Sequence, residues 1–519
     1  MNLITDKWIP VFREKRGADI IAPWEIVDRF DTDPVIAFNL ARPDFNGAMV
    51  QFLIGLLQTC CPPVDDDEWL NWMTNPPAGL ELEAQFMRGK TAFEFDGDGP
   101  RFMQDWDKSV AELEPKSIGA LLIEEPGDQT LKFNKDLFVK RGGYPGLSYP
   151  MAAMALFALQ LNAPAGGAGH RTSLRGGGPL TTLMLPKKSN ALWWLVWGNV
   201  SAVSEMLPKV QNWDRELETI FPWMGPTRTS VKSEMITPID THPLQVFWAM
   251  PRRIRIDFDC VTDMECSISG AYEKCVTRYS TQNYGGNYGA WRHPLSPHYK
   301  KGTEELPMHP NAGGMTHRHW LGWSFGKNEG TSTVMEASIV RGANGRVRRR
   351  YMKALWAFGY DMDNMKARGW QEAKIPIFDF EKSDRDGQSK FINDVECVVK
   401  AAEEYCSFLR KQTRIALGSD SSPDSLDREF WGSTDASFRD ILQSIYHQIE
   451  ANMLTTPSRE KWFEILQNSV LALFDKWTSS GNIEFENSER IIKSRKVLHS
   501  KKTKEILRRH LRIEETKNG

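Results

Sequence analysis

Thr456-Pro-Ser-Arg-Glu-Lys-Trp-Phe-Glu-Ile-Leu-Gln-Asn-Ser-Val-Leu-Ala-Leu-Phe-Asp-Lys-Trp477 decides how the last quarter of this chain is read. Trp462, Ile465, Leu466, Val470, Leu473, Phe474 and Trp477 recur three or four positions apart, which places them on one stripe of an amphipathic helix. Thr456 and Pro457 suit the N-cap and first helical position, because proline presets φ and lacks a donor that would go unpaired there. Similar segments lie near 391–415, 424–453 and 486–512, so the expected architecture is a C-terminal four-helix bundle over 390–519. The polar run Asp379–Lys390 precedes it and marks a domain boundary. Upstream, strand-like pieces such as Trp8–Phe12 and Arg253–Phe258 alternate with helical ones such as Met49, Phe52, Leu53, Leu56 and Leu57. The fold class is therefore α+β: a large mixed N-terminal domain, 1–380, followed by the bundle.

Bulk composition narrows the class. The 519 residues are too many for one simple domain, and 41% hydrophobic with 25% charged residues is ordinary for a globular protein. No apolar run approaches the roughly 20 residues needed to cross a bilayer. The opening Met-Asn-Leu-Ile-Thr-Asp-Lys-Trp lacks a charged stretch followed by an apolar one, so a cytoplasmic location is expected. A net charge of −2 argues against a generic basic coat for nucleic acid and leaves room for local basic patches. The seven cysteines form no CxxC pair, and Cys260, Cys266 and Cys275 cluster without the spacing of a zinc ribbon.

Several stretches carry the chemistry worth weighing. Ala163-Pro-Ala-Gly-Gly-Ala-Gly-His-Arg-Thr-Ser-Leu-Arg-Gly-Gly-Gly-Pro-Leu-Thr-Thr182 holds six glycines with His170, Arg171 and Arg175 among them, between a helix-like Met151–Leu161 and a strand-like Leu180–Leu185. Such a backbone can approach an anion or a base edge closely; a merely flexible loop is the open alternative. The loop around Phe133, Lys135, Phe138, Lys140 and Arg141 mixes rings and cations as a nucleic-acid backbone would want, or is a solvated loop. Tyr279–Pro294 is rich in amides, tyrosines and glycines and suits base-edge contacts, or a strand pair with glycine turns. Arg341, Arg346, Arg348, Arg349, Arg350 and Lys353 crowd around Asn344-Gly345, a hairpin signal, so a phosphate-gripping basic hairpin is expected. Ten cations between Arg490 and Arg512 face a single acid, Glu505, which points the last helix at a polyanion.

Catalytic signatures are missing. There is no Gly-Lys-[Ser/Thr] phosphate loop, no Gly-x-Ser-x-Gly and no His-Glu-x-x-His. The Asp361/Asp363 pair supports one alternative from another class, a metal-dependent nuclease, although two carboxylates without a third ligand make a weak site. On residues alone the reading ends at a nucleic-acid-binding protein with no enzyme site and no cofactor.

Three blocks in order carry a more specific signal: Met1-Asn-Leu-Ile-Thr-Asp-Lys-Trp-Ile-Pro-Val11, Ala163–Thr182, and Phe358-Gly-Tyr-Asp-Met-Asp-Asn-Met-Lys-Ala-Arg368. Together they resemble the CasA family, the large subunits of the type I-E CRISPR surveillance complex Cascade, over essentially the full chain. The resemblance implies a subunit that recognises the protospacer-adjacent motif (PAM) of target double-stranded DNA through the minor groove. It also implies that the subunit starts strand separation for R-loop formation and helps to recruit a helicase-nuclease without being a nuclease itself. Guide RNA, target DNA, the other Cascade subunits and the CRISPR helicase-nuclease are the implied partners. Residue by residue, it places the PAM-reading glycine loop at Gly166, Gly167, Ala168 and Gly169, with Ala168 where a familiar member has glycine. The strand-separating wedge falls on Asp363 and Asn364, and Gln282 or Asn283 stands where the family has a lysine. Lys300 and Lys301 resemble a basic pair near the DNA path, to which Arg346, Arg348, Arg349 and Arg350 add phosphate contacts. Phe138, Val139 and Lys140 resemble the loop that engages the guide RNA handle. Some relatives hold zinc with four cysteines; here two of those places fall near Ser148 and Met151, so no zinc is expected.

Overall fold

The computed structural model describes residues 1–134, 136, 141–167, 169–188, 190–203, 207–289, 291–329, 332–343, 347–363, 366–380, 385–418, 424–479 and 485–513. The chain divides into two compact units. Met1–Asn311 with Asn328–Lys374 forms the first, and Ala312–Lys327 with Ile375–Gly519 forms the second.

The first unit is organised on the helix Pro43–Cys60. From Gly47 to Cys60 every residue is buried, so this helix is covered on all sides rather than along one stripe. Phe52 explains much of that: Trp8, Phe93, Phe102, Phe157 and Trp248 all meet its ring edge-on, with centroids 5.5–6.0 Å apart. The helix Tyr149–Asn162 packs beside it and is itself almost wholly buried. Small sheets surround this pair. Thr181–Pro186 lies beside Met352–Asp363, which pairs in turn with Lys366–Pro376. Arg278–Gln282 runs between Lys116–Ser117 and Arg253–Ile256, antiparallel to both.

Alternation at Arg253-Ile-Arg-Ile256 points to a half-exposed strand, yet all four residues are buried. Arg253 donates to Asp105 at 2.5 Å and Arg255 to the Asp105 carbonyl at 2.7 Å, so both arginines find acceptors inside. The expected basic hairpin is also different. Of its described cations, Arg341 lies on a helix, Ser338–Ala343, and Arg348, Arg349 and Arg350 on a 3₁₀ turn, Val347–Tyr351, while Lys353 is on the strand Met352–Asp363. Residues 344–346, with the Asn-Gly turn signal and Arg346, lie outside the described residues.

The second unit contains the bundle. Its helices are Arg385–Leu417, Asp424–Glu450 and Thr456–Ser479, with the fourth limb carried by Phe485–Leu498 and Lys501–His510. The break in that limb is at Ser500, whose hydroxyl accepts from the Thr503 N–H and caps the final helix. Trp462, Leu466, Val470, Leu473 and Phe474 are buried as the stripe requires, while Ile465 and Trp477 sit at its margins. A short segment earlier in the chain completes this core. Trp320, on the helix Trp320–Phe325, donates from Nε1 to the Pro376 carbonyl at 2.7 Å and meets the Phe391 ring at 5.8 Å. His317 stacks on Phe438 at 4.4 Å and lies edge-on to Trp431 at 4.9 Å. Among the described residues no helix is long and apolar enough to cross a membrane.

Candidate nucleic-acid interface

The glycine-rich stretch is a loop held at both ends. As the helix Tyr149–Asn162 stops, the Ala163 carbonyl accepts from the Ser173 N–H at 3.1 Å and the Asn162 carbonyl from the Gly178 N–H at 3.1 Å. The loop thus closes on its own root before the strand Thr181–Pro186 begins. Gly178 takes φ +60°, and a Cβ there would stand 2.7 Å from the Tyr360 carbonyl oxygen. The second glycine cluster is therefore a packed turn, which leaves the first as the part that meets solvent.

Gly167 is exposed and Gly166 is partly so; Ala168 lies outside the described residues. Gly169 takes φ +81°, and a Cβ on it would lie 2.9 Å from Cβ of Asn283. Its carbonyl accepts from the Tyr284 N–H at 2.7 Å. Gln282, the last residue of the strand Arg278–Gln282, is exposed, as are Asn283 and Tyr284. The loop and the Gln282–Tyr284 turn, far apart in sequence, therefore share one exposed ledge.

Three arginines surround this ledge or its root. Arg171 donates to the Ser230 hydroxyl at 2.7 Å and to the Ser230 carbonyl at 3.2 Å. Arg252 donates to the Pro164 carbonyl. Arg175 is 2% exposed and donates to Thr181 Oγ1 at 2.9 Å, Ser296 Oγ at 3.0 Å and Gln51 Oε1 at 2.7 Å. Among the described residues no carboxylate forms an ion pair with any of the three. Burial pulls Arg175 down from 12.5 to about 9 and Arg252 to about 10, so both still carry their charge at neutral pH. Unneutralised positive charge beside exposed glycine backbone favours an anion or an electronegative groove. Sequence reasoning misses Arg252 and Ser230, since neither has a local signal for contact with the loop.

The other candidate residues divide. Lys300 is half exposed on the strand His298–Lys301, but the hairpin register sets Glu305 opposite it, 3.9 Å from its Nζ, and Glu304 opposite Lys301. Glu305 is also bound by Arg292, which holds its carboxyl below the usual range. Arg348 is fully buried: Nε meets Asp66 Oδ1 at 2.7 Å and the guanidinium lies 5.2 Å over the Trp69 ring. Arg349 is 4% exposed, whereas Arg350 is at the surface. The expectation that Arg348 and Arg349 grip phosphates is thus corrected, because a guanidinium enclosed in the interior is not available to one. Asp361 is 4% exposed and takes a two-point contact from Arg368, at 2.6 and 3.0 Å, while Asp363 lies 3.7 Å from the same guanidinium. A cation of the protein's own already bridges the carboxylates on which the nuclease alternative relies. Asn364, Phe138, Val139 and Lys140 lie outside the described residues.

Cys266 and Cys275 are buried together, with the Ser148 N–H donating to Cys266 Sγ at 3.3 Å. Ser148 lies opposite Cys275 in the strand pairing, so a hydroxyl stands where a further thiolate would be needed. Among the described residues no group of three or more His, Cys, Asp or Glu is placed to hold a metal ion. These residues do not fit a four-ligand zinc site. On the last two helices, Arg495 pairs with Asp475 at 2.7 Å and Lys493 with Glu489 at 2.5 Å, and Lys501, Lys502 and Arg509 are exposed.

The fold and the ledge together define an α+β protein with a helical-bundle unit and an exposed glycine loop. More particularly, the profile of the CRISPR-associated protein Cse1 family matches residues 2–473, and the chain belongs to that family. Its fold is similar to that of Thermobifida fusca Cse1, with a TM-score of 0.70 at 14% identity over 99% of this chain and 98% of the other. Thermus thermophilus CasA gives 0.68 at 15% identity over 96% and 99%. A chain from a CRISPR RNA-guided surveillance complex gives 0.65 at 13% identity over 96% and 99%.

Proposed function

We propose that this chain is the large subunit of a Cascade-type RNA-guided surveillance complex and reads the PAM of target double-stranded DNA from the minor groove. The observation that carries the reading is the meeting of Gly169 with Asn283 and Tyr284 on one exposed ledge, beside arginines that no carboxylate among the described residues neutralises. A minor groove presents acceptors with little distinction among A·T orientations, so backbone N–H groups and amides reading it accept several related motifs. Asp363 and Asn364, where the long strand Met352–Asp363 ends, start strand separation; opening the first step costs a few kcal/mol, which an inserted wedge offsets. Lys300 and Arg350 add phosphate affinity, and Phe138–Lys140 engages the guide RNA. Recruitment of the helicase-nuclease follows once the duplex is open, and the subunit cleaves nothing itself.

The test is duplex binding by the assembled complex across a library of randomised flanking triplets, with and without this subunit. Discrimination among triplets is expected only when the subunit is present. Gly169→Val should abolish it while assembly with guide RNA and the other subunits survives, because the added side chain strikes Asn283 on the ledge rather than the core. Loss of assembly with intact duplex binding would show the loop to be structural packing. Mg²⁺-dependent cleavage by the purified chain alone would return the Asp361/Asp363 nuclease to consideration.

A further inference from the structure

We propose that Tyr284 is a specificity-determining contact of the same ledge, its ring packing on a deoxyribose of the minor-groove wall and its hydroxyl meeting the base edges on the groove floor. The inference rests on the reading of the ledge as a PAM reader and picks one residue out of the tyrosine- and amide-rich stretch Tyr279–Pro294.

Tyr284 occupies φ +63°, a left-handed conformation that a residue with a Cβ rarely adopts. Glycine would take it without cost and asparagine nearly so. The surroundings hold the residue there: its N–H donates to the Gly169 carbonyl at 2.7 Å and its carbonyl accepts from the Ser230 N–H at 3.1 Å. Ser230 is tied in turn to the Gly285 carbonyl at 2.8 Å and to Arg171 at 2.7 Å. A strained backbone fixed from both sides aims a side chain, and such outliers gather at ligand contacts.

The side chain it aims is not used by the core. Tyr284 is 39% exposed, while the two residues that follow, Gly285 and Gly286, are buried. Tyr284 Cδ1 lies 3.2 Å from where a Gly169 Cβ would be, so the ring lies along the glycine loop and extends its surface. A flat apolar face with a hydroxyl at its tip, next to backbone donors and Arg171, matches a groove whose walls are sugars and whose floor carries acceptors. A turn that needed only this conformation would be served better by glycine.

The experiment compares the full complex carrying Tyr284→Phe, Tyr284→Gly or Tyr284→Asn in duplex binding across the triplet library, with thermal melting of each variant. Tyr284→Gly and Tyr284→Asn both tolerate the backbone, so one serves if the other assembles poorly. Each should weaken binding to the preferred duplex by at least about fivefold, a loss in the range of ring contacts to nucleic acid, without a lower melting temperature. Tyr284→Phe should keep most of the affinity and flatten the ranking of triplets. If the parent complex ranks triplets and the glycine and asparagine variants bind as it does, the Tyr284 contact is wrong and the ledge reading stands. If the parent complex does not rank triplets, the ledge reading fails and takes this inference with it.

Discussion

Arg175 shows what a buried charge can be for when no opposite charge is paired with it. Its guanidinium is held by neutral acceptors on three segments: Gln51 on the central helix, Thr181 on the strand that leaves the glycine loop, and Ser296. The desolvation cost is met by hydrogen bonds alone, and the return is a loop root bolted to the core. Replacing it with methionine removes an expensive charge and orphans Gln51 Oε1, two effects of opposite sign. The orphaned acceptor should win, because the methionine fills the space and no carboxylate is left unpaired. Arg175→Met is expected to lose about 1–3 kcal/mol of stability, less than the ~3–5 kcal/mol typical of a broken buried ion pair. Adding Gln51→Leu should recover most of the loss, since both partners are then apolar. Urea unfolding of the single and double variants measures the difference, and a double variant weaker than the single one would overturn the account.

The segment from Thr316 to Phe325 sits inside the helical unit although the strand pair Met352–Pro376 lies between it and the bundle sequence. His319 stacks on Trp323 with rings 4.9 Å apart and 6° from parallel, and burial with Arg318 nearby lowers its pKa to about 3. Burial likewise lowers His317, against the opposing pull of Asp435. The unfolded chain takes up a proton on each imidazole below about pH 6.5, the folded chain does not, and stability therefore falls as pH drops through the window from 6.5 toward 3. His319 alone should remove about 3 kcal/mol by roughly pH 4. In urea unfolding at about pH 7, 5.5 and 4, a range that spans the imidazole's two ends, His319→Gln should start less stable and lose less on acidification; a parallel acid limb would refute the assignment. The same segment governs what the bundle can do by itself. A chain of residues 375–519 lacks the buried His317, Trp320, Leu321 and Trp323, and losing large buried side chains costs several kcal/mol each. It should melt without a cooperative transition by circular dichroism, and a peptide of residues 312–327 joined to it should restore one.

Across the molecule, what can be read in advance is what repeats locally. Trp462 to Phe474 announces its helix because burial and helical period coincide, and Met49 to Leu57 shows the period although its helix is buried on every side. Arg348 does not announce its burial, since the partner that encloses it, Asp66, lies 282 positions away. Composition counts it with Arg350 as surface charge, and no local pattern separates the two. The grip of Arg368 on Asp361 is closer to hand, seven residues along on the neighbouring strand, where a salt bridge is an ordinary cross-strand pair. The meeting of Gly169 with Asn283 and Tyr284 has no sequence signature, because it depends on how two distant loops are carried by the core. These corrections alter the expected electrostatics of the whole chain. With Arg348 and Arg349 inside and Lys300 shadowed by Glu305, fewer of the expected cations remain to meet phosphate. Each phosphate contact contributes about −0.9 to the slope of log K against log salt, so a dense basic coat and a small ledge differ plainly. The contribution of this subunit, taken as the difference between complexes with and without it, should have a slope of about −2 to −4. Arg171→Gln should make it shallower by about one if that guanidinium meets a phosphate, whereas Arg348→Gln should leave the slope unchanged and lower the melting temperature. A titration from about 50 to 200 mM salt with a duplex of fixed sequence distinguishes them, and a slope change in the Arg348 variant would mean that its burial is relieved when DNA binds.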